Sequence, residues 1–189
     1  MKKIFLLALT LLLTGCGAQY PLTTNLNLPP RSQPMGIYAN TLSAALTGHD
    51  ARKDSAVVVY QIKDKSKIEI PNEVAPHILV AERLADGLQK QGLSFHTDAP
   101  VRIRLDINEL VAMVTRTKIL YTSAAKSQLT LTIKTSAITF TKTYSRQANR
   151  DSATRPPVKD LEKMLNGQLT DIVNQILQDA EIRDTIRKM

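Results

Sequence analysis

Chemistry in this 189-residue chain has few starting points: one cysteine, three histidines and some small groups of charged or hydroxyl side chains. Ser94, His96 and Asp98 fall on alternate residues, so an extended strand would turn all three to one face in the order nucleophile, base, orienting acid. Their spacing argues against that use. Side chains two apart on a strand lie roughly 7 Å apart, whereas a nucleophile and its base need about 3 Å. No GxSxG turn supplies a strained nucleophile instead. His49, His77 and His96 are scattered, none sits in a spacing such as HExxH, and a single cysteine cannot build a thiolate zinc cluster. His49 beside Asp50 and Asp54 comes nearest to a ligand set and reads as a solvated loop. The residues thus point to no catalytic group, no metal and no cofactor, and the chain is expected not to be an enzyme.

Cys16 is different, because its surroundings say what the thiol is for. Lys2 and Lys3 precede the mostly apolar run Ile4 to Leu13, and small residues follow at Thr14 and Gly15. A ten-residue helix spans about 15 Å, half of a hydrocarbon core of roughly 30 Å, so this is the pattern of a signal peptide over residues 1–15 and not of a permanent span. Leu13, Thr14, Gly15 and Cys16 resemble the lipobox of bacterial lipoproteins. That resemblance implies diacylglycerol in thioether linkage to the Cys16 sulfur, cleavage between Gly15 and Cys16, and an N-acyl chain such as palmitate. Each buried methylene contributes about 0.8 kcal/mol, so two or three chains anchor a protein stably where one would not. Gly17 stands where an Asp would favour inner-membrane retention in the sorting rule of many such lipoproteins, which implies the periplasmic face of the outer membrane.

The formal net charge is +8, and a product cleaved before Cys16 loses only Lys2 and Lys3. Residues 101–155 hold ten Lys or Arg against Asp106, Glu109 and Asp151. With Thr130, Thr132, Thr139, Thr141 and Thr143 placed outward by strand alternation, the open face of a sheet would be threonine-rich and basic, with Arg102, Arg104 and Lys142 as its exposed cations. Such a face either solubilises or docks an anionic envelope component or an envelope protein. No RNP or zinc-finger signature supports nucleic acid. Asp50, Arg52 and Asp54 form a second charge cluster, in which the planar fork of Arg52 suits carboxylates and would pin a loop to a strand.

The elements that must place these residues follow from periodicity. Pro21, Pro29, Pro30 and Pro34 make residues 16–34 a lipidated proline-rich tether, although Leu22, Leu26 and Leu28 would also suit an irregular edge segment. Residues 35–189 form one domain. Short strands are expected at 37–46, at 56–60 and around Ile68 and Ile70, with the lysine-rich 63–67 as a hairpin tip. Val74, Ile78, Ala81, Leu84 and Leu88 mark a helix within 72–91 whose regular part begins near Pro76 and stops at Gly92. Val101 to Ile107, Leu129 to Ile133 and Ile138 to Tyr144 alternate as three strands. Val158, Leu161, Leu165, Leu169, Ile172 and Ile176 mark a second long helix, and Asp179 caps a short terminal one carrying Ile182 and Ile186. The expected fold is α+β: an antiparallel sheet with two main helices packed on one face and a short C-terminal helix.

From the lipobox to the last helix the pattern resembles the YajG family of uncharacterised lipoproteins, through Asp50, Arg52 and Asp54 within HDARKD, the helix ending at Gln91 and Gly92, the sheet from Val101, and the helix before Asp179 and Ile182. Residues 41–56 read as longer here than in that family. The resemblance implies an envelope lipoprotein and carries no enzyme activity, cofactor or catalytic residue. Two roles fit it: a noncatalytic periplasmic binding or accessory module, and a transport-associated lipoprotein that handles an apolar envelope ligand. A cavity between helix and sheet would mark the second, and a filled core the first.

Overall fold

The computed structural model of the chain describes residues 20–30, 34–39, 41–63 and 66–188. Among these residues seven strands and three helices follow in the order β1 (Ser43–Asp50), β2 (Ala56–Lys63), β3 (Ser66–Pro71), α1 (Pro76–Lys90), β4 (Ser94–Phe95), β5 (Val101–Arg116), β6 (Tyr121–Lys134), β7 (Thr139–Ser152), α2 (Val158–Gln178) and α3 (Ala180–Arg187). This is an α+β fold built on a curled sheet.

The sheet is mixed, which corrects the expectation of a purely antiparallel one. β5, β6 and β7 form an antiparallel meander, and β2 and β3 an antiparallel hairpin. On its other edge, however, β5 is flanked by two parallel strands in succession: β1 runs beside residues 101–107 and β2 beside 112–114. β4 adds a short parallel pair to β1. Residues 43–60 thus behave as one extended run along β5, interrupted by the excursion 51–55. Half of the stretch 41–56, which reads as longer than in the family it resembles, is strand β1.

Helix α1 begins at Pro76, where the missing N–H costs nothing, and ends before Gly92, which adopts a φ of 104°. Its first turn lies so close to β1 that a side chain on Gly48 would meet the His77 carbonyl oxygen. Helix α2 lacks a side-chain N-cap bond, a loss of about 1 kcal/mol. It buries Leu161, Leu165, Leu169, Ile172 and Ile176, each worth about 1.5–3 kcal/mol, so packing decides its formation. Asp179 caps α3 by accepting from the Glu181 N–H at 3.0 Å, as its sequence suggests. All three helices feed one core with the inward residues of the sheet. None of the described helices is long and apolar enough to cross a membrane.

The tether expectation for 16–34 fails over residues 20–30. Leu26 and Leu28 are 3% and 0% exposed, Thr24 bridges to Asn72, and the backbone N–H groups of Asn25 and Asn27 donate to Glu162 and Asn166 on α2. The leucines make this segment the irregular edge piece that their spacing allowed. Apolar burial outweighs the extended freedom that the prolines favour.

Candidate functional site

The face of the sheet opposite the helices carries the candidate site. Along β5, Val101, Ile103, Leu105 and Ile107 point into the core, so Arg102, Arg104 and Asp106 point out. A β-bulge between Ile107 and Glu109 shifts the phase, after which Leu110, Ala112 and Val114 point inward and Val111 and Met113 outward. The apolar side chains of this second half therefore occupy both faces.

The excursion 51–55 rims that apolar outer stretch, and Arg52 holds it there. Its Nε and Nη2 donate to the two Asp50 carboxylate oxygens, both at 2.8 Å, and the Arg52 backbone N–H adds a third bond at 3.2 Å. Nη1 donates to the carbonyls of Leu110 at 3.1 Å and Ala56 at 3.3 Å, and Nη2 also reaches the Ser55 carbonyl at 3.4 Å. The Ala51 N–H donates to the Ile107 carbonyl. Between the last residue paired by β1 and the first paired by β2, the β5 edge would otherwise keep unsatisfied carbonyls. One guanidinium, 6% exposed, fills that gap. Its hydrogen bonds hold the Asp50 carboxyl below the ordinary carboxylate range, against the opposing effect of burial. Asp54 is exposed on the rim and takes no part in this network.

Inside the rim lies an open recess of about 450 Å³. Val59, Val111 and Met113 give it an apolar floor, and Lys53, Asp54, Lys67, Glu69 and Glu109 surround them. Beyond the recess the face becomes a ladder of polar pairs: Thr130 meets Thr143 at 3.0 Å and Thr132 meets Thr141 at 3.3 Å. Arg104 donates to Asp106 at 2.7 and 2.9 Å, and His49 Nδ1 stands 2.9 Å from the same carboxylate oxygen. His49 therefore belongs to a strand and pairs across to Asp106, not to a loop site with Asp54.

Of the three cations expected on this face, Arg102 and Arg104 are there and Lys142 is not. Lys142 sits opposite Leu131, whose side chain is buried, so strand alternation turns it to the helix side. There its Nζ meets Asp179 at 2.7 Å and Glu181 at 2.5 Å. Tyr144, buried on the same side, donates to Asp179 at 2.8 Å. Hydrogen bonds from Lys142 and Tyr144 outweigh the effect of burial and lower the Asp179 pKa, while burial and the Asp179 charge raise that of Tyr144. The basic surplus of residues 101–155 is consequently divided, and the open face is a mixed surface in which Arg104 and Lys126 have acidic neighbours. Phe140 follows Lys142 to the inner side as expected, but Ile138 is 45% exposed at the turn.

The other sequence candidates do not converge. Only Ser94 of the alternating trio belongs to a strand; the His96 N–H donates to the Ala44 carbonyl, and no hydrogen bond joins the Ser94, His96 and Asp98 side chains. Among the described residues no three His, Cys, Asp or Glu gather as a metal site. Gly15 and Cys16 lie outside the described residues. The recess floor was missed because the bulge hides it; the one signal was the unbroken apolar run Leu110 to Val114, which alternation cannot place on a single face.

A family model described as "Uncharacterized lipoprotein" matches residues 29–187 of the chain. The chain is 23% identical to the uncharacterized lipoprotein YajG of Escherichia coli K12 over 193 aligned positions, covering 99% of this chain and 97% of that protein. Among solved structures, protein XCC0632 from Xanthomonas campestris superposes with a TM-score of 0.58 at 10% identity, over 86% of this chain and 97% of its own. A neuraminyllactose-binding hemagglutinin homolog from Helicobacter pylori gives 0.51 at 12% identity, over 87% and 97%. At such identities the two structures share the fold alone.

Proposed function

Because the chain belongs to the uncharacterized lipoprotein family that includes YajG, and is thus a membrane-anchored protein of the bacterial envelope, we propose that it works without catalysis, as a docking module for another envelope protein. The anchor is lipid on Cys16, and the location is the periplasmic face of the outer membrane.

The observation that carries this reading is the recess on the open sheet face. An apolar floor within a charged rim, next to a flat ladder of threonines, has the anatomy of a protein contact surface, where a partner's apolar side chain fills the centre and polar groups surround it. Arg52 fixes the rim to both strands and to β5, so docking needs little ordering of this loop. The carrier alternative finds less support. Leu84, Leu88, Leu105, Leu131, Leu165 and Leu169 fill the layer between helices and sheet, and the recess at the edge between α1 and α2 holds about 20 Å³; the larger recess of about 490 Å³ between α1 and the β1–β4 edge opens to solvent and has Glu82, Gln89, His96 and Arg102 in its lining.

Met113→Arg with Arg102→Glu tests the docking face, since both residues are exposed and neither supports the core. Cells are treated with a crosslinker, and adducts are identified by mass spectrometry against the parent chain. The docking reading expects the main adduct to be lost at unchanged protein level. Adducts identical in both strains would make this face plain solvated surface.

A further inference from the structure

Tyr20, the first described residue, is fixed at one end of the domain. Its ring stands edge-on to Tyr60, with centroids 4.9 Å apart. The Arg155 guanidinium lies 4.6 Å from the same ring centroid and donates to the Tyr20 hydroxyl at 2.8 Å. Tyr60 pairs with Val114, two residues before β5 ends at Arg116, so Tyr20 sits beside the root of the β5–β6 hairpin. A chain of four residues from Cys16 to Tyr20 cannot exceed about 14 Å even when fully extended. From Val114 to the hairpin tip at Ile119 the strand advances by about the same amount. A lipid on Cys16 therefore brings the bilayer within reach of this hairpin and of nothing at the far end of the sheet.

The tip carries what a bilayer surface would bind. Ile119 is 84% exposed and Leu120 38%, an adjacent apolar pair at the tip of the hairpin. Arg116 and Lys118 flank the pair and are exposed, and Tyr121 lies under the Arg116 guanidinium at 5.3 Å. Apolar residues at a tip, a tyrosine behind them and cations around them form the sequence of chemistries met on crossing from acyl chains to phosphates. Among the described residues, the carboxylates toward this end include Asp151, which accepts from the Thr122 hydroxyl at 2.8 Å, and Asp160 in the first turn of α2.

We propose that the β5–β6 hairpin tip is a second membrane contact: Ile119 and Leu120 enter the interfacial region of the bilayer that holds the Cys16 lipid, while Arg116 and Lys118 bind anionic headgroups. The proposal rests on the lipid anchor of the preceding subsection. It stands the strands upright on the membrane, with the recess running from about 17 Å above the tip at Met113 to about 34 Å at Asn108.

The test uses the full lipidated chain reconstituted in vesicles of phosphatidylethanolamine and phosphatidylglycerol at about 7:3. With its only native cysteine acylated, Ile119→Cys introduces one labelling site for an environment-sensitive fluorophore, and Ile138→Cys at the opposite hairpin serves as control. Quenching by aqueous iodide is expected to be at least about threefold weaker at position 119 than at 138, and the difference should shrink about twofold or more on adding Arg116→Glu and Lys118→Glu. Equal quenching at both positions in protein shown by mass to be acylated overturns the membrane contact and leaves the anchor standing. Absence of acylation overturns the anchor, and the contact with it.

Discussion

Replacing Arg52 by Ala should weaken the domain by about 3 kcal/mol. The guanidinium donates to the Leu110 and Ala56 carbonyls at 3.1 and 3.3 Å, and at these lengths each bond contributes about 1 kcal/mol, below the roughly 1.5–3 kcal/mol of a well-made bond to a charged group. Its loss also strips Asp50 of a bidentate partner. Asp50 retains 26% exposure and its bond from the residue-52 backbone N–H, so this part costs about 1 kcal/mol and not the larger penalty of a fully buried orphan charge. In urea, with a slope near 2 kcal/mol/M for a domain of this size, the midpoint should fall by about 1.5 M at an unchanged slope. The effect also has a pH signature. The folded-state pKa of Asp50 is depressed, so its contribution is complete above the unfolded value near 4 and is lost as pH falls through the folded one. The gap between parent and Arg52→Ala should therefore be widest at pH 7 and narrow below pH 4. A loss under about 1 kcal/mol at pH 7, or a gap that stays constant into acid, would refute the view that Arg52 stitches the sheet at its branch.

Asp179→Ala removes the α3 cap and the acceptor shared by Lys142 and Tyr144, and should cost about 2 kcal/mol in thermal or urea unfolding. Because the folded pKa of Asp179 is also lowered, that difference too is present at neutral pH and fades as pH drops below about 4. Gly48→Ala forces a methyl group onto the His77 carbonyl and should destabilise by about 1–3 kcal/mol, whereas Gly167→Ala, with open space around it, should leave the unfolding midpoint unchanged or slightly raised. Cys16→Ala should abolish incorporation of labelled palmitate in cells; normal labelling of that variant would place the lipid elsewhere.

The helices were legible because their apolar faces recur with a helical period and their ends carry chemical punctuation: Pro76, Gly92, Pro157 and the Asp179 cap all stand where the chain turns. Strand direction was not legible. Alternation fixes which face a side chain takes, but it is indifferent to whether the neighbour runs parallel, and only the pairing of β1 and β2 with the same edge of β5 decides that. Strand length was underread for two local reasons. The bulge near Asn108 breaks the period of β5, and the inward positions Ser123, Ala125 and Ser127 of β6 are small or polar because α2 approaches there, with Gln168 donating to the Ala125 carbonyl and accepting from the Ser127 hydroxyl. Asp50 and Arg52 are adjacent enough in sequence for guanidinium and carboxylate to meet, and they do so at 2.8 Å, while Asp54 stands apart on the recess rim. Lys142 was assigned to the wrong side because its face depends on the register of β7 with β6, which sets it against Leu131.

The most direct test of the docking account is a photocrosslinking map made in living cells. A photoreactive amino acid is placed at Met113 and Thr132 on the open sheet face and at Asp171 on the exposed side of α2, one position at a time, in the lipidated chain. The account expects a discrete protein adduct of the same mass from Met113 and Thr132 and none from Asp171. Adducts confined to Asp171, or no discrete adduct from the sheet face at normal protein levels, would contradict it.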